Sequence, residues 1–109
     1  MAEFETIAYA VDDRIARITL NRPERLNAIV PAMPREIRLA VERANADDGV
    51  HVIVLQGAGR AFCAGGDVGG MQKRMQADPG QVAFNGWARQ QRVHQCVKLL
   101  LNMPKPTIA

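Results

Sequence analysis

The apolar run Val52-Ile53-Val54-Leu55 leads directly into Gly57-Ala58-Gly59-Arg60-Ala61-Phe62-Cys63-Ala64-Gly65-Gly66-Asp67, and a polar stretch with helical potential, 68–76, follows. A strand that enters a glycine-rich loop and leaves it as a helix limits the fold more than any other part of this chain. The first N–H groups of a helix have no intrahelical carbonyl to bond. They face whatever binds there, and the helix dipole favours negative charge at that end. Glycine lets a ligand come close to the main chain. The chemistry this suits is stabilisation of a developing oxyanion or binding of a phosphate.

The sequence around that loop reads as alternating strands and helices. Residues 4–11 alternate, with Ile7, Tyr9 and Val11 on one face, and residues 14–20 repeat the pattern with Ala16, Ile18 and Leu20. With Asp12-Asp13 as a turn signal between them, the two read as a hairpin. Pro23 has no N–H to donate and ends the ladder. From Pro31 to Ala46, Ile37, Ala40, Val41 and Ala44 recur at helical spacing, with Pro31 and Pro34 confined to the first turn or just before it. Gly49 is expected to end that helix in a left-handed conformation. Residues 51–56 are apolar enough to predict a strand buried on both faces, as in a parallel sheet. After a short helix, Asp78-Pro79-Gly80 reads as a loop. Residues 81–101 read as a long helix with Val93, Cys96, Val97, Leu100 and Leu101 on one stripe. Thr107-Ile108-Ala109 starts a further strand. No internal repeat is visible in the residues. A strand that opens this close to the last residue leads to the expectation that residues 1–109 are the N-terminal portion of a larger domain.

Composition excludes several classes. The 109 residues are 48% hydrophobic and 23% charged, with a net charge of +3, which is ordinary for a globular domain with one small core. Lys and Arg are interspersed with Asp and Glu, with no basic stripe or interleaved aromatics of the kind nucleic acid requires. No apolar run approaches the ~18 residues needed to span a membrane, and the acidic start, Met-Ala-Glu-Phe-Glu, has no apolar signal region. Cys63 and Cys96 form no ligand cluster and read as reduced thiols, so a cytoplasmic location is expected and no metal site is implied.

Three segments stand in order along the chain: Asn21-Arg22-Pro23-Glu24-Arg25-Leu26-Asn27-Ala28 after the hairpin, Ala61-Phe62-Cys63-Ala64-Gly65-Gly66-Asp67 after the apolar strand, and Met103-Pro104-Lys105-Pro106-Thr107-Ile108-Ala109 after the long helix. Together, at these separations, they resemble the enoyl-CoA hydratase/isomerase (crotonase) superfamily. The resemblance implies an α/β fold built from repeated β-β-α turns that binds acyl-CoA thioesters, with two backbone N–H groups stabilising an enolate oxygen. By matching, Gly66 is the first of those donors. The Ala64 carbonyl takes the adenine amino group of CoA. Gly65, Asp67 and Val68 belong to the same binding loop, while Arg25, Leu26 and Ala28 line the CoA phosphate and pantetheine region. The second donor and the acid/base carboxylates fall beyond Thr107. The resemblance further implies no cofactor besides the CoA of the substrate, and a homotrimer or homohexamer for the parent family. Two rivals stand beside this reading. One is a non-catalytic CoA-binding fragment or inactive remnant. The other is a generic phosphate binder, which the absence of the P-loop pattern GxxxxGK[ST] disfavours.

Other residues have plainer readings. Asp67 is also placed to cap the helix that follows it. Arg22 reads as an exposed loop residue. Glu3, Glu5, Glu24, Glu36 and Glu42 read as solvent-facing charges. Cys63 has no histidine near it in sequence and reads as packing. His51 and His94 have no partner at ligand spacing. Trp87, Met71, Met75 and Met103 read as core or as lining of an acyl pocket.

Overall fold

The computed structural model of the chain describes residues 3–109. Met1 and Ala2, which open the acidic N-terminal stretch, lie outside the described residues. Strands β1 (Ile7–Asp12) and β2 (Ile15–Leu20) pair antiparallel from Ile7 opposite Leu20 to Asp12 opposite Ile15. Their turn is Asp13-Arg14, both at positive φ (50° and 66°), as a two-residue hairpin connection requires. The turn therefore lies one residue beyond the Asp12-Asp13 signal. The ladder also begins later than residue 4. The reason is Glu36, whose carboxylate accepts the backbone N–H groups of Glu5 (3.0 Å) and Thr6 (2.8 Å) and the Thr6 hydroxyl (2.6 Å). Glu36 is buried, 6% exposed, so it is not the solvent-facing charge its sequence context suggested. Burial pushes its carboxyl up, but the Thr6 hydroxyl, the two N–H groups and the Arg35 charge outweigh that and hold it below its ordinary value.

Helix α1 (Ala32–Ala46) carries the chain over the sheet to β3 (Val52–Gly57), which lies parallel to β2. Met33, Ile37, Ala40, Val41 and Ala44 of α1 meet Ile7, Ala16, Ile18, Leu20 and Ile53 to form the core. Only Ile53 of β3 is fully buried. Val52 and Val54 point to the face away from α1 and stay half-buried, so the expected burial on both faces does not hold in this chain. Gly49 is not among the left-handed residues. The end of α1 is instead closed by Asp47, which accepts the Gly49 N–H at 2.8 Å, and by the Lys105 ammonium, which donates to the carbonyls of Ala44 (2.8 Å) and Asp47 (2.7 Å). A cation there also complements the helix dipole.

Beyond β3 come α2 (Val68–Arg74), α3 (Pro79–Leu101) and β4 (Thr107–Ile108), which pairs parallel to β3. Pro79 and Gly80 belong to the first turn of α3 rather than to a loop, with Asp78 preceding them, because a proline costs nothing at that position. Cys96 is the one buried residue of α3. Leu99 and Leu100 pack against the core beside it. Val97 and Leu101, expected on the same stripe, are exposed, as is Trp87 at 60%. The sheet order is β1-β2-β3-β4.

The backbone repeats although the residues do not. Ile15 lies opposite Val52 in the sheet, and Ile29 lies opposite Gly66 in a separate parallel bridge. Both pairs keep the 37-residue offset of the Thr19–Gln56 side-chain hydrogen bond. Each turn of chain thus supplies one sheet strand, one bridge segment and then helix, and two such turns stack in register.

Candidate functional site

The site lies where those two turns touch, between the loop after β2 (21–30) and the loop after β3 (58–67). Leu26 and Asn27 are both left-handed, at φ 53° and 57°. Asparagine tolerates this and leucine does not, so the loop is held in shape by its partners. The Asn27 side chain is fully buried. Its Nδ2 donates to the carbonyls of Ala58 (3.0 Å) and Ala61 (2.9 Å), and its Oδ1 accepts the Arg22 N–H at 2.8 Å. The Ala64 N–H donates to the Leu26 carbonyl at 3.0 Å, the Ile29 N–H to Gly65 at 2.6 Å and the Asp67 N–H to Ile29 at 3.0 Å. Arg22 closes the seam, donating from Nη1 to the Ala28 carbonyl and placing Nη2 3.7 Å from Asp67 Oδ1. Its side chain is only 17% exposed, so it is a half-buried clamp and not the free surface residue the sequence suggested.

The glycines serve distinct ends. Gly65 is at φ 103°, where a side chain would be strained. A Cβ on Gly57 would meet the carbonyl oxygens of Ala61 and Phe62 at 2.5 and 2.6 Å, so only glycine lets the loop fold back on β3. At Gly66 the parallel bridge engages the carbonyl of Gly65 and the N–H of Asp67. In such a bridge the N–H and C=O of the intervening residue point the other way. The Gly66 N–H is therefore turned away from Ile29. Asp67 caps α2, accepting the Gly70 N–H on Oδ2 at 3.0 Å, while its Oδ1 faces Arg22.

A cleft of about 440 Å³ opens on this seam. Arg25, Leu26, Ala28, Ala64, Gly66, Asp67 and Val68 all line it, with Pro23, Glu24, Arg60 and Gly69. Of the residues singled out in the sequence, Gly65 alone is not part of its wall; it sets the loop's curvature behind it. Arg60 adds a second guanidinium to the lining. Sequence reading missed Asn27, Arg22 and Arg60. An asparagine inside a proline-bounded loop is a signal for a left-handed residue, but nothing local reveals which carbonyls it will reach. Cys63 and Cys96 are free thiols lining a separate, wholly apolar cleft of about 250 Å³, and burial pushes the Cys96 thiol up, away from the reactive thiolate. Among the described residues no group of three or more His, Cys, Asp and Glu could hold a metal ion, and no helix is long and apolar enough to cross a membrane.

The sequence pattern of the enoyl-CoA hydratase/isomerase family matches residues 15–109. The chain belongs to that family. Over 68 residues it is 44% identical to a probable enoyl-CoA hydratase of Mycobacterium tuberculosis, covering 62% of this chain and 27% of that protein. It is 33% identical over 106 residues to the trans-2-decenoyl-[acyl-carrier-protein] isomerase of Streptococcus mutans, covering 97% of this chain and 39% of that one. The crystal structure of an enoyl-CoA hydratase/isomerase from Xanthobacter autotrophicus Py2 superposes with a TM-score of 0.83 at 35% identity, over 95% of this chain and 37% of that one. The fold is thus the crotonase fold, and the two stacked turns described above are its β-β-α repeat. The chain spans between a quarter and two fifths of the length of these relatives.

Proposed function

We propose that the cleft between the two loops binds an acyl-CoA thioester and that the Gly66 N–H stabilises the oxygen of its enolate, as in enoyl-CoA hydratase/isomerase chemistry. The observation that carries this is the direction of the Gly66 N–H, turned out of the bridge. A fixed donor meets the charge of enolisation without reorganising. Arg25 and Arg60 in the cleft lining supply charge for phosphate. Leu26, Ala28 and Val68 give apolar contact along the pantetheine. The Ala64 carbonyl accepts the adenine amino group, while Gly65 and Asp67 hold the loop that presents both donor and acceptor. The substrate carries the only cofactor, CoA. In this reading residues 1–109 correspond to the N-terminal portion of a crotonase-like domain. Its parent works in the cytoplasm as a homotrimer or homohexamer.

A second reading is a CoA-binding fragment or remnant without turnover, since the resemblance puts the second donor and the carboxylates beyond Thr107. Calorimetric titration with acetoacetyl-CoA and with ADP, alongside a crotonyl-CoA hydration assay on the same 109 residues, separates the cases. Tighter binding of acetoacetyl-CoA than of ADP supports the thioester site. Hydration of crotonyl-CoA sinks the fragment reading. Equal binding of the two ligands turns the site into a general phosphate cleft.

A further inference from the structure

Two side chains reach Gly66 from outside both loops, Arg89 from α3 and Met71 from α2. Nη2 of Arg89, on α3, lies 2.5 Å from the point that a Cβ on Gly66 would occupy, and its Cζ lies 3.3 Å away. A Cβ is two bonds from the backbone nitrogen, so this guanidinium and the Gly66 N–H are within roughly 5 Å of each other. Two donors at that separation can share one acceptor, since each hydrogen bond spans about 2.9 Å. Met71 Cε, 2.7 Å from the same point, packs beside the guanidinium and gives it an apolar wall. The carboxylate next to Gly66 in the chain, Asp67, has its oxygens directed to Gly70 and Arg22. Among the described residues Arg89 takes part in none of the ion pairs. A half-buried arginine beside an N–H donor, outside those ion pairs, has a planar, always-charged fork suited to an anion.

We infer that Arg89 donates a charge-assisted hydrogen bond to the thioester oxygen alongside the Gly66 N–H, so that a side chain on α3 serves as an oxyanion donor in this chain. The inference rests on the acyl-thioester reading of the cleft and deepens it. A guanidinium adds full charge where the enolate develops, and a charged donor contributes more than a neutral one. It is also adjustable. Nη2 is the far end of a flexible side chain, so the donor can shift to follow the oxygen.

The test compares acetoacetyl-CoA, which forms an enolate, with CoA, which has no acyl oxygen, on the full chain and on Arg89→Gln and Arg89→Lys. Arg89→Gln is expected to weaken acetoacetyl-CoA roughly tenfold or more, to leave CoA unchanged and to abolish the enolate absorbance of the bound ligand. Arg89→Lys is expected to restore part of the affinity and part of that absorbance. Equal weakening of both ligands, or of neither, overturns the assignment of Arg89 while leaving the cleft intact. Failure of the unaltered chain to bind either ligand overturns the acyl-thioester reading itself, and the role of Arg89 with it. Thermal melting of each variant guards against misfolding, and a lowered melting point that accompanies lost CoA binding counts against the proposal.

Discussion

Helices α1 and α3 make an instructive pair. The shorter, with 15 residues, buries Met33, Pro34, Glu36, Ile37, Ala40, Val41 and Ala44, whereas the longer, with 23, buries Cys96 alone. Both carry apolar residues at helical spacing. The difference is what lies opposite. α1 crosses between two strands that pair directly with each other, so its stripe faces the sheet along its length. α3 meets the core through its C-terminal half and leaves Phe84, Trp87, Val97 and Leu101 exposed. Helical periodicity says that a face exists; only the neighbouring element says whether that face is covered. An uncovered apolar row of this kind marks a surface that associates readily.

The largest expected effect tests that contrast directly. Ile18→Ala, in the sheet under α1, should cost about 3–4 kcal/mol, while Trp87→Ala on α3 should stay within about 0.5 kcal/mol; urea denaturation of both variants measures the gap, and equal losses would mean that α3 is packed as tightly as α1. Next comes the seam between the loops. Asn27→Ala strips the Ala58 and Ala61 carbonyls and the Arg22 N–H of a buried partner, for about 2–3 kcal/mol. It should also weaken acetoacetyl-CoA, because both walls of the cleft hang on that residue. Unchanged stability would show that the loops hold together without it.

Glu36 gives a smaller effect with a pH signature. Its carboxyl titrates below its ordinary value of 4.5 in the folded chain. Its contribution is therefore complete above the unfolded pKa and is lost as pH falls through the lowered folded one. Glu36→Gln should cost about 1–2 kcal/mol near neutrality and flatten the fall in denaturation midpoint on acidification; an unaltered pH profile would assign the acid sensitivity to other groups. The smallest effect is at the cap of α2. Asp67→Ala should cost about 1 kcal/mol, read by thermal melting, and should free Arg22 from its ion pair. A loss several times larger would mean that the Arg22–Asp67 contact, and not the cap, holds the loop.

Much of this was legible locally. The hairpin, α1, β3 and the glycine loop follow from alternation, helical spacing and the reach of proline and glycine, each of which acts over a few residues. The misreadings have one physical origin. Glu36 looked exposed because nothing in its own helix shows that Thr6, 30 residues away, will bond it. Asn27 gave no sign of its bonds to Ala58 and Ala61, which lie 31 and 34 residues further on. The repeat was invisible because backbone register, and not residue identity, recurs.

The sequence alone determined the hairpin, α1 and β3, and that a glycine-rich, donor-rich loop follows β3, because these depend on local backbone sterics and periodic burial. The tertiary structure decided which charges are buried, which loops share a seam and that Arg89 arrives at Gly66. Those contacts join residues far apart in the chain, and they form only where the stacked turns bring the two backbones into register.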